Sequence, residues 1–420
     1  MGWRRLALLV ALAATWSSPH AQTAEPPFVA AGSGDSPRLA RLQRAPGGAA
    51  VSAFWQEIRR AGAPLVEPVA GEPDYSWLTF LWRATEPTTN VVVIDGVAAG
   101  VGGTDPKNSM LARLGRTDVW YRTYKVRNDA AFTYTLSPND SLEPLLGPRR
   151  SRPRPDPLNP NLSGPQSSVR LRSAPERMEA TPSAPVPAGM VTATSFDSPT
   201  FGNRRALKVY TPPGFTPARG DYPLLVVLDS DAYGDYVPVP AILDALIAGN
   251  RLGPLVAVMV GNVSRTDELQ CSPAYARFLA TELVPWMRGT YRAGATPALT
   301  VVSGASLGGL AASFAAFQHP EVFGNVVSQS GSYWWKPAQD GEPEWLTRQV
   351  ATTLARGVRV SMSVGAMEIP EQLETNRRFR DALTAKGYAV TYQEFNGNHS
   401  YFNWRTDLAR HLVHLLGPSR

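Results

Sequence analysis

The sequence predicts an α/β fold, with a parallel sheet covered by helices on both faces and a small mainly-β accessory domain before it. Three observations carry that reading. From about residue 190 to the C-terminus, continuous apolar runs alternate with helical stretches, as strands buried on both faces require. Between residues 50 and 140, β-branched and aromatic runs follow one another across Gly, Pro and Asp breaks. Residues 141–190 are dense in proline and poor in apolar side chains, so they separate the two units. At 420 residues the chain is long enough for each unit to have a core.

The chain opens with MGWRR, the apolar run LALLVALAATW and then SSPHAQ. A basic start, a short apolar core and a small residue before a polar stretch read as a secretory signal peptide over residues 1–21. Cleavage is expected after Ala21, with a periplasmic or secreted destination. The competing reading, an uncleaved anchor, needs a longer apolar run. No other stretch could cross a bilayer. Residues 22–49, rich in Ala, Gly and Pro, are expected to be disordered. AFWQEIRRAGAPLVE (53–67) then reads as a helix with Phe54, Trp55 and Ile58 inward and a stop at Gly62. The runs SWLTFLWRA, NVVVIDGVA, DVWYRTYKV and AFTYTLSPND supply the strands of the mainly-β domain, residues 50–140. Residues 141–190 form the linker, and the arginines of GPRRSRPRP are solvated linker charge rather than a nucleic-acid tail.

In residues 191–420, LKVYT, PLLVVLDS, LVAVMVGN, TVVSGAS, NVVSQSGS, VRVSMSVGA and VTYQEFNG read as strands. PAILDALIAGN and PAYARFLATELVPWM read as helices between them, which suits one α/β-hydrolase domain. The most informative stretch is VVSGASLGGLAASFAAF, 301–317. A β-branched strand runs into Gly304-Ala305-Ser306-Leu307-Gly308, and a small-residue helix follows at once. A serine hydroxyl becomes an accessible nucleophile when a tight strand-to-helix turn thrusts it out and the new helix aims free N–H groups at the reacting carbonyl. The pattern makes Ser306 the candidate nucleophile.

Of five histidines, four have structural explanations: His20 in the signal segment, His319 at a helix end, and His411 and His414 in the C-terminal helix. His399, in the loop FNGNHSYFNW after the last strand, stands where an α/β-hydrolase presents its general base. The acid should follow the penultimate strand, and VRVSMSVGAMEIPEQLE puts Glu368 at that strand's end. Glu371 and Glu374 fit the start of the next helix better. A Ser–His pair, or an acid from elsewhere, stays open. Of the two oxyanion donors, Leu307 N–H follows from position and the second belongs near Ser230 and Asp231. Asp231 must turn its side chain away from the developing anion.

Composition narrows the rest. Cys271 is the only cysteine, so no intrachain disulfide is possible, and a passive thiol is expected. No Cys/His cluster has metal-ligand spacing, so neither a metal nor a cofactor is expected. The net charge of +6 suits an anionic small molecule, but its basic residues are scattered, which disfavours nucleic acid.

With these residues identified, the chain resembles the enterochelin (enterobactin) esterase family from about residue 50 to the C-terminus. FWQEIRRAGAPLVE, WLTFLWRA, RLGRTDVWYRTYKV and DPLNP are similar to its accessory domain and linker. VYTPPGF, SRTDEL, TELVPWM, GASLGGL, SQSGSYWW and NHSYFNWR are similar to its catalytic domain. The resemblance implies hydrolysis of the esters of a cyclic tris-catecholate siderophore, with iron carried by the substrate. It makes Ser306 the nucleophile, His399 the base and Glu368 the acid. It also implies substrate contacts from Arg265, Tyr333, Trp334, Trp335, Trp404 and Arg405, whose cationic and aromatic groups suit an anionic catecholate. Core packing explains the tryptophans equally well. Two segments depart from the family: DSDAY where members tend to have Asp-Gly, and GNHS in place of Gly-Gly-His-Asp. The signal peptide would move the reaction to the periplasm. The other readings of the same residues are an exported esterase for feruloyl or acetyl esters and a siderophore-binding protein with little turnover.

Overall fold

The computed structural model describes residues 27–31, 35–176, 186–353 and 357–418. The signal-peptide expectation, residues 1–21, lies outside them. The N-terminal part contains β1 (Phe28–Ala31), α1 (Pro37–Arg44), α2 (Gly48–Ala61), β2 (Leu65–Val69), β3 (Glu72–Arg83), β4 (Val91–Ile94), α3 (Val97–Gly102), β5 (Ala112–Arg113), β6 (Val119–Arg127), β7 (Ala131–Pro138), β8 (Leu162–Ser163) and β9 (Gln166–Arg170). One antiparallel sheet runs β1-β6-β3-β2 with β5 paired to β6, and a second runs β4-β7-β9-β8. Phe80 lies edge-on to Tyr124 and Tyr134 in the core of this part, with ring centroids 5.9 and 4.7 Å apart.

Two expectations are corrected here. Residues 27–31 and 35–49 of the segment expected to be disordered are ordered: β1 pairs with β6, and α1 buries Leu39 and Leu42. Its composition hides the cause. Ser36 caps the helix by accepting Leu39 N–H, and both Ser36 Oγ and Arg38 N–H donate to buried Glu67. Nor is 141–176 a free linker. Asp156 of the DPLNP motif is buried and accepts Tyr134 Oη–H at 2.7 Å, and β9 extends the sheet beside β7. Proline density misled because these prolines flank buried polar anchors.

The C-terminal part contains β10 (Met190–Ser198), β11 (Asn203–Thr211), β12 (Leu224–Val227), α4 (Ser230–Tyr236), α5 (Val239–Ala248), β13 (Val256–Val260), α6 (Arg265–Leu269), α7 (Pro273–Arg277), α8 (Val284–Tyr291), β14 (Thr300–Ala305), α9 (Leu307–Gln318), β15 (Asn325–Gln329), α10 (Trp345–Thr352), β16 (Arg359–Gly365), α11 (Pro370–Ala385), β17 (Ala389–Phe395) and α12 (Tyr401–Leu416). The sheet order is β10-β11-β13-β12-β14-β15-β16-β17, antiparallel at β10 and β11 and parallel from β13 onward. This is the α/β fold that the sequence predicts. Leu224 and Val226 face one apolar layer while Leu225 and Val227 face the other, which is why the strands read as unbroken apolar runs. A buried polar network fixes α12 on β16: Ser361 and Ser363 meet His411, and His411 meets Asp407 at 2.8 Å.

Candidate active site

Ser306 stands between β14 and α9 with φ 56° and ψ −124°, a conformation that costs a non-glycine residue strain and is retained only where the surroundings fix it. The surroundings do so. A Cβ at Gly304 would lie 2.4 Å from the Gly308 backbone, so only glycine lets the helix close over the strand. Ser306 N–H donates to Gln329 O at 2.9 Å, and Ser306 O accepts from Gly309, Leu310 and Ser332. The side-chain oxygen lies 3.3 Å from Ser332 Oγ.

His399 sits in the loop between β17 and α12, its side chain 39% exposed, with Nδ1 2.6 Å from Glu368 Oε2. A carboxylate only accepts, so Nδ1 carries the proton and Nε2 is left as acceptor. Glu368 itself is buried and follows β16 by three residues; its Oε1 accepts Ser330 Oγ–H at 2.6 Å and Gly365 N–H at 2.8 Å. Partial loss of water works to lower the affinity of His399 for a proton. Glu368, by charge and hydrogen bond, and Asp95, by charge, outweigh it against the opposing pull of Arg265, so His399 titrates above its usual value.

The loop after β12 brings Asp229 against the elbow: a Cβ at Gly308 would be 3.8 Å from Asp229 Cβ. Ser230 follows it and begins α4, and Leu307 begins α9. Asp229 is fixed by Arg265, at 2.8 Å from Nε, and by Asn262 Nδ2 at 2.6 Å. Asp231 accepts Asn262 N–H at 2.9 Å.

The aromatic and cationic residues separate. Trp334 lines the cavity over Ser306 and His399 and donates Nε1–H to Gln372 at 2.8 Å. Tyr333 does not reach it: the ring is buried, stacks on Phe379 at 3.7 Å, and its hydroxyl meets Ser313 and Ser328. Trp335 packs on the core and on Trp345, with centroids 6.0 Å apart. The SYWW run follows a strand in irregular backbone, so its rings take different directions. Trp404 lies buried under His399, edge-on at 4.8 Å, and donates Nε1–H to Ser330, which donates in turn to Glu368. Arg405 lies over Phe402, outside the cavity lining. Arg265 acts on Asp229 and, through its charge, on His399.

The cavity measures about 340 Å³ and is lined from both parts of the chain: Asp95, Gly96, Ala99 and Leu146 from the N-terminal part, Ser306, Ser332, Trp334, Glu368 and His399 among those from the other. The histidine loop is clamped to β7. Asn398 Oδ1 accepts Thr133 N–H at 3.1 Å, and Asn403 Nδ2 donates to Ala131 O at 2.7 Å. Met367, next to Glu368, is buried in the core of the N-terminal part. Sequence reasoning missed Ser330, Gln372, Asp95 and Asn398. SQSGS after a strand and Asp-Gly at the end of VVVI are the only local signals they leave.

The model of the family described as "Putative esterase" matches residues 198–415, and that described as "Enterochelin esterase, N-terminal" matches residues 77–186. The iron(III) enterobactin esterase of Dickeya dadantii (strain 3937) is 29% identical over 399 residues, covering 85% of this chain and 91% of the relative. The iron(III) salmochelin esterase of Escherichia coli O6:H1 is 29% identical over 388 residues, covering 84% and 90%. The crystal structure of an enterochelin esterase from Shigella flexneri superposes with a TM-score of 0.67 at 25% identity, over 86% of this chain and 97% of that one.

Proposed function

This chain belongs to the esterase family whose model spans residues 198–415, and we propose that it hydrolyses the ester bonds of a tris-catecholate siderophore, ferric or iron-free, so that iron is released. It is an ester-hydrolysing enzyme of the serine-hydrolase type. The observation that carries the substrate is the extent of the likeness. Relatives named for iron(III) enterobactin and salmochelin match over both parts of the chain, including the part that lines the cavity.

In this reading Ser306 Oγ attacks the ester carbonyl while His399 Nε2 takes its proton, and the bond to the leaving alkoxide breaks as the imidazolium returns that proton. Glu368 holds Nδ1–H and stabilises the imidazolium at 2.6 Å. Leu307 N–H and Ser230 N–H receive the oxyanion. Water then attacks the acyl-enzyme with His399 again as base. Trp334 offers a ring face to a catechol, and Arg265, paired with Asp229, acts through its charge on His399. Iron enters and leaves with the substrate.

The reaction is assigned to the periplasm or the outside of the cell on the composition of residues 1–21. An exported protein beginning at Gln22 supports this assignment, and retention in the cytoplasm with Met1 intact refutes it. The substrate is tested by mass spectrometry of ferric and iron-free enterobactin after incubation with the protein and with Ser306→Ala. Linear trimer, dimer or monomer from the unmutated protein alone is the expected result. An intact macrocycle, from protein that still cleaves a nitrophenyl ester, would overturn the siderophore reading and leave the esterase.

A further inference from the structure

We propose that Asp95, delivered by the N-terminal part, is a specificity-determining residue whose carboxylate accepts a hydrogen bond from an N–H group that the substrate carries beside the scissile ester. The inference rests on the esterase reading of Ser306 and His399. It does not depend on the siderophore.

Asp95 follows β4 with φ 69° and lines the same cavity as Ser306 and His399. Its place is fixed. A Cβ at Gly96 would fall 2.4 Å from the Phe132 ring, so the turn that presents Asp95 packs directly on the core of the N-terminal part. The clamp of Asn398 and Asn403 on β7 then holds that core against the histidine loop. A residue from a separate sheet is thereby fixed beside the base.

The carboxylate is also short of donors. Oδ2 accepts Gln166 Nε2–H at 3.1 Å, and among the described residues none donates to Oδ1. Glu368, by contrast, takes donors from His399, Ser330 and Gly365. Among the described residues, no Lys or Arg lines the cavity. Burial pushes the Asp95 carboxyl above the usual carboxylate range, and the charge of His399 and the Gln166 bond only partly restrain it. Such a half-buried group gains from a donor that arrives with the ligand, which takes the place of water on Oδ1. A substrate anion in the same place would be repelled. The chemistry that fits is a neutral hydrogen-bond donor, and the N–H in the ester of an N-acyl amino acid supplies one.

The test compares p-nitrophenyl esters of N-benzoylglycine and of 4-oxo-4-phenylbutanoate, which differ by N–H against CH₂. The ratio of their kcat/KM values is measured within each preparation, so partial unfolding cancels. The unmutated protein should prefer the N–H ester, and Asp95→Ala should reduce that preference by about tenfold to a hundredfold. Asp95→Asn, which keeps a neutral acceptor, should fall between. Equal losses on both esters, or no preference in the unmutated protein, would overturn the role of Asp95. Failure of the unmutated protein to cleave either ester would overturn the esterase reading and this inference with it.

Discussion

Glu368→Gln removes a negative charge and an acceptor from beneath His399. The carboxylate is buried and takes the imidazole at 2.6 Å, Ser330 at 2.6 Å and Gly365 N–H at 2.8 Å. With charge centres about 4 Å apart and an effective dielectric constant near 20, the imidazolium formed during attack loses about 4 kcal/mol of stabilisation. At about 1.4 kcal/mol per factor of ten, kcat/KM falls roughly a thousandfold. The pH profile gives an independent reading. His399 must be neutral to act as base, and in the folded protein it binds its proton above the usual pH because Glu368 and Asp95 outweigh burial. Activity of the unmutated protein therefore rises through a pH above 6.5, and without the Glu368 charge the rise moves to lower pH. The assay is kcat/KM for p-nitrophenyl butyrate between about pH 5 and 9. A loss smaller than tenfold, or an acid limb that stays put or moves up, would refute the assignment of Glu368.

Two further outcomes concern stability. Arg205 is buried over Phe201 and Phe278, with its guanidinium carbon 4.1 and 4.7 Å from the ring centroids, and pairs with buried Glu268 at 3.0 Å. Arg205→Leu strands the Glu268 charge and should cost about 3–5 kcal/mol in urea unfolding, much of it recovered when Glu268→Leu is added. Asp156 titrates at about 6 because burial outweighs its hydrogen bonds from Tyr134 and Leu158. Its folded value lies above the unfolded one, so its contribution is complete below pH 4 and is lost as pH rises through about 6, by about 3 kcal/mol. Asp156→Asn removes that dependence, so the Tm difference, variant minus unmutated, should grow more positive between pH 5 and 8. A difference that stays constant with pH would count against it.

Much of the catalytic domain was legible because its signals are local. Strand β14, the turn at Ser306 and helix α9 lie within 19 residues, and strand burial on two faces leaves an unbroken apolar run. Glu368 and His399 could be nominated from their places after β16 and β17 for the same reason. The direction of a side chain in irregular backbone has no such pattern. Tyr333, Trp334 and Trp335 are consecutive, yet one is core, one faces the cavity and one packs on Trp345. Composition also misjudged residues 35–49 and 141–176, where one cap or one buried carboxylate, not average hydropathy, decides order.

The contacts that join the two parts of the chain were invisible for a different reason. Thr133 and Asn398 are 265 residues apart, and nothing in either segment announces the other. Asn398 is also where the histidine loop departs from the family's Gly-Gly-His-Asp. The structure gives that departure a physical role: the amide accepts Thr133 N–H and donates back to Thr133, bonds that a glycine could not make with a side chain. Asn398 therefore bears on how firmly the N-terminal part holds the loop that carries His399. The same clamp holds together the two parts that line the cavity, with Asp95 from one and Ser306 and His399 from the other. The N-terminal part thus lines the candidate site, and a C-terminal part cut free of it would lose the clamp and the Asp95 carboxylate together.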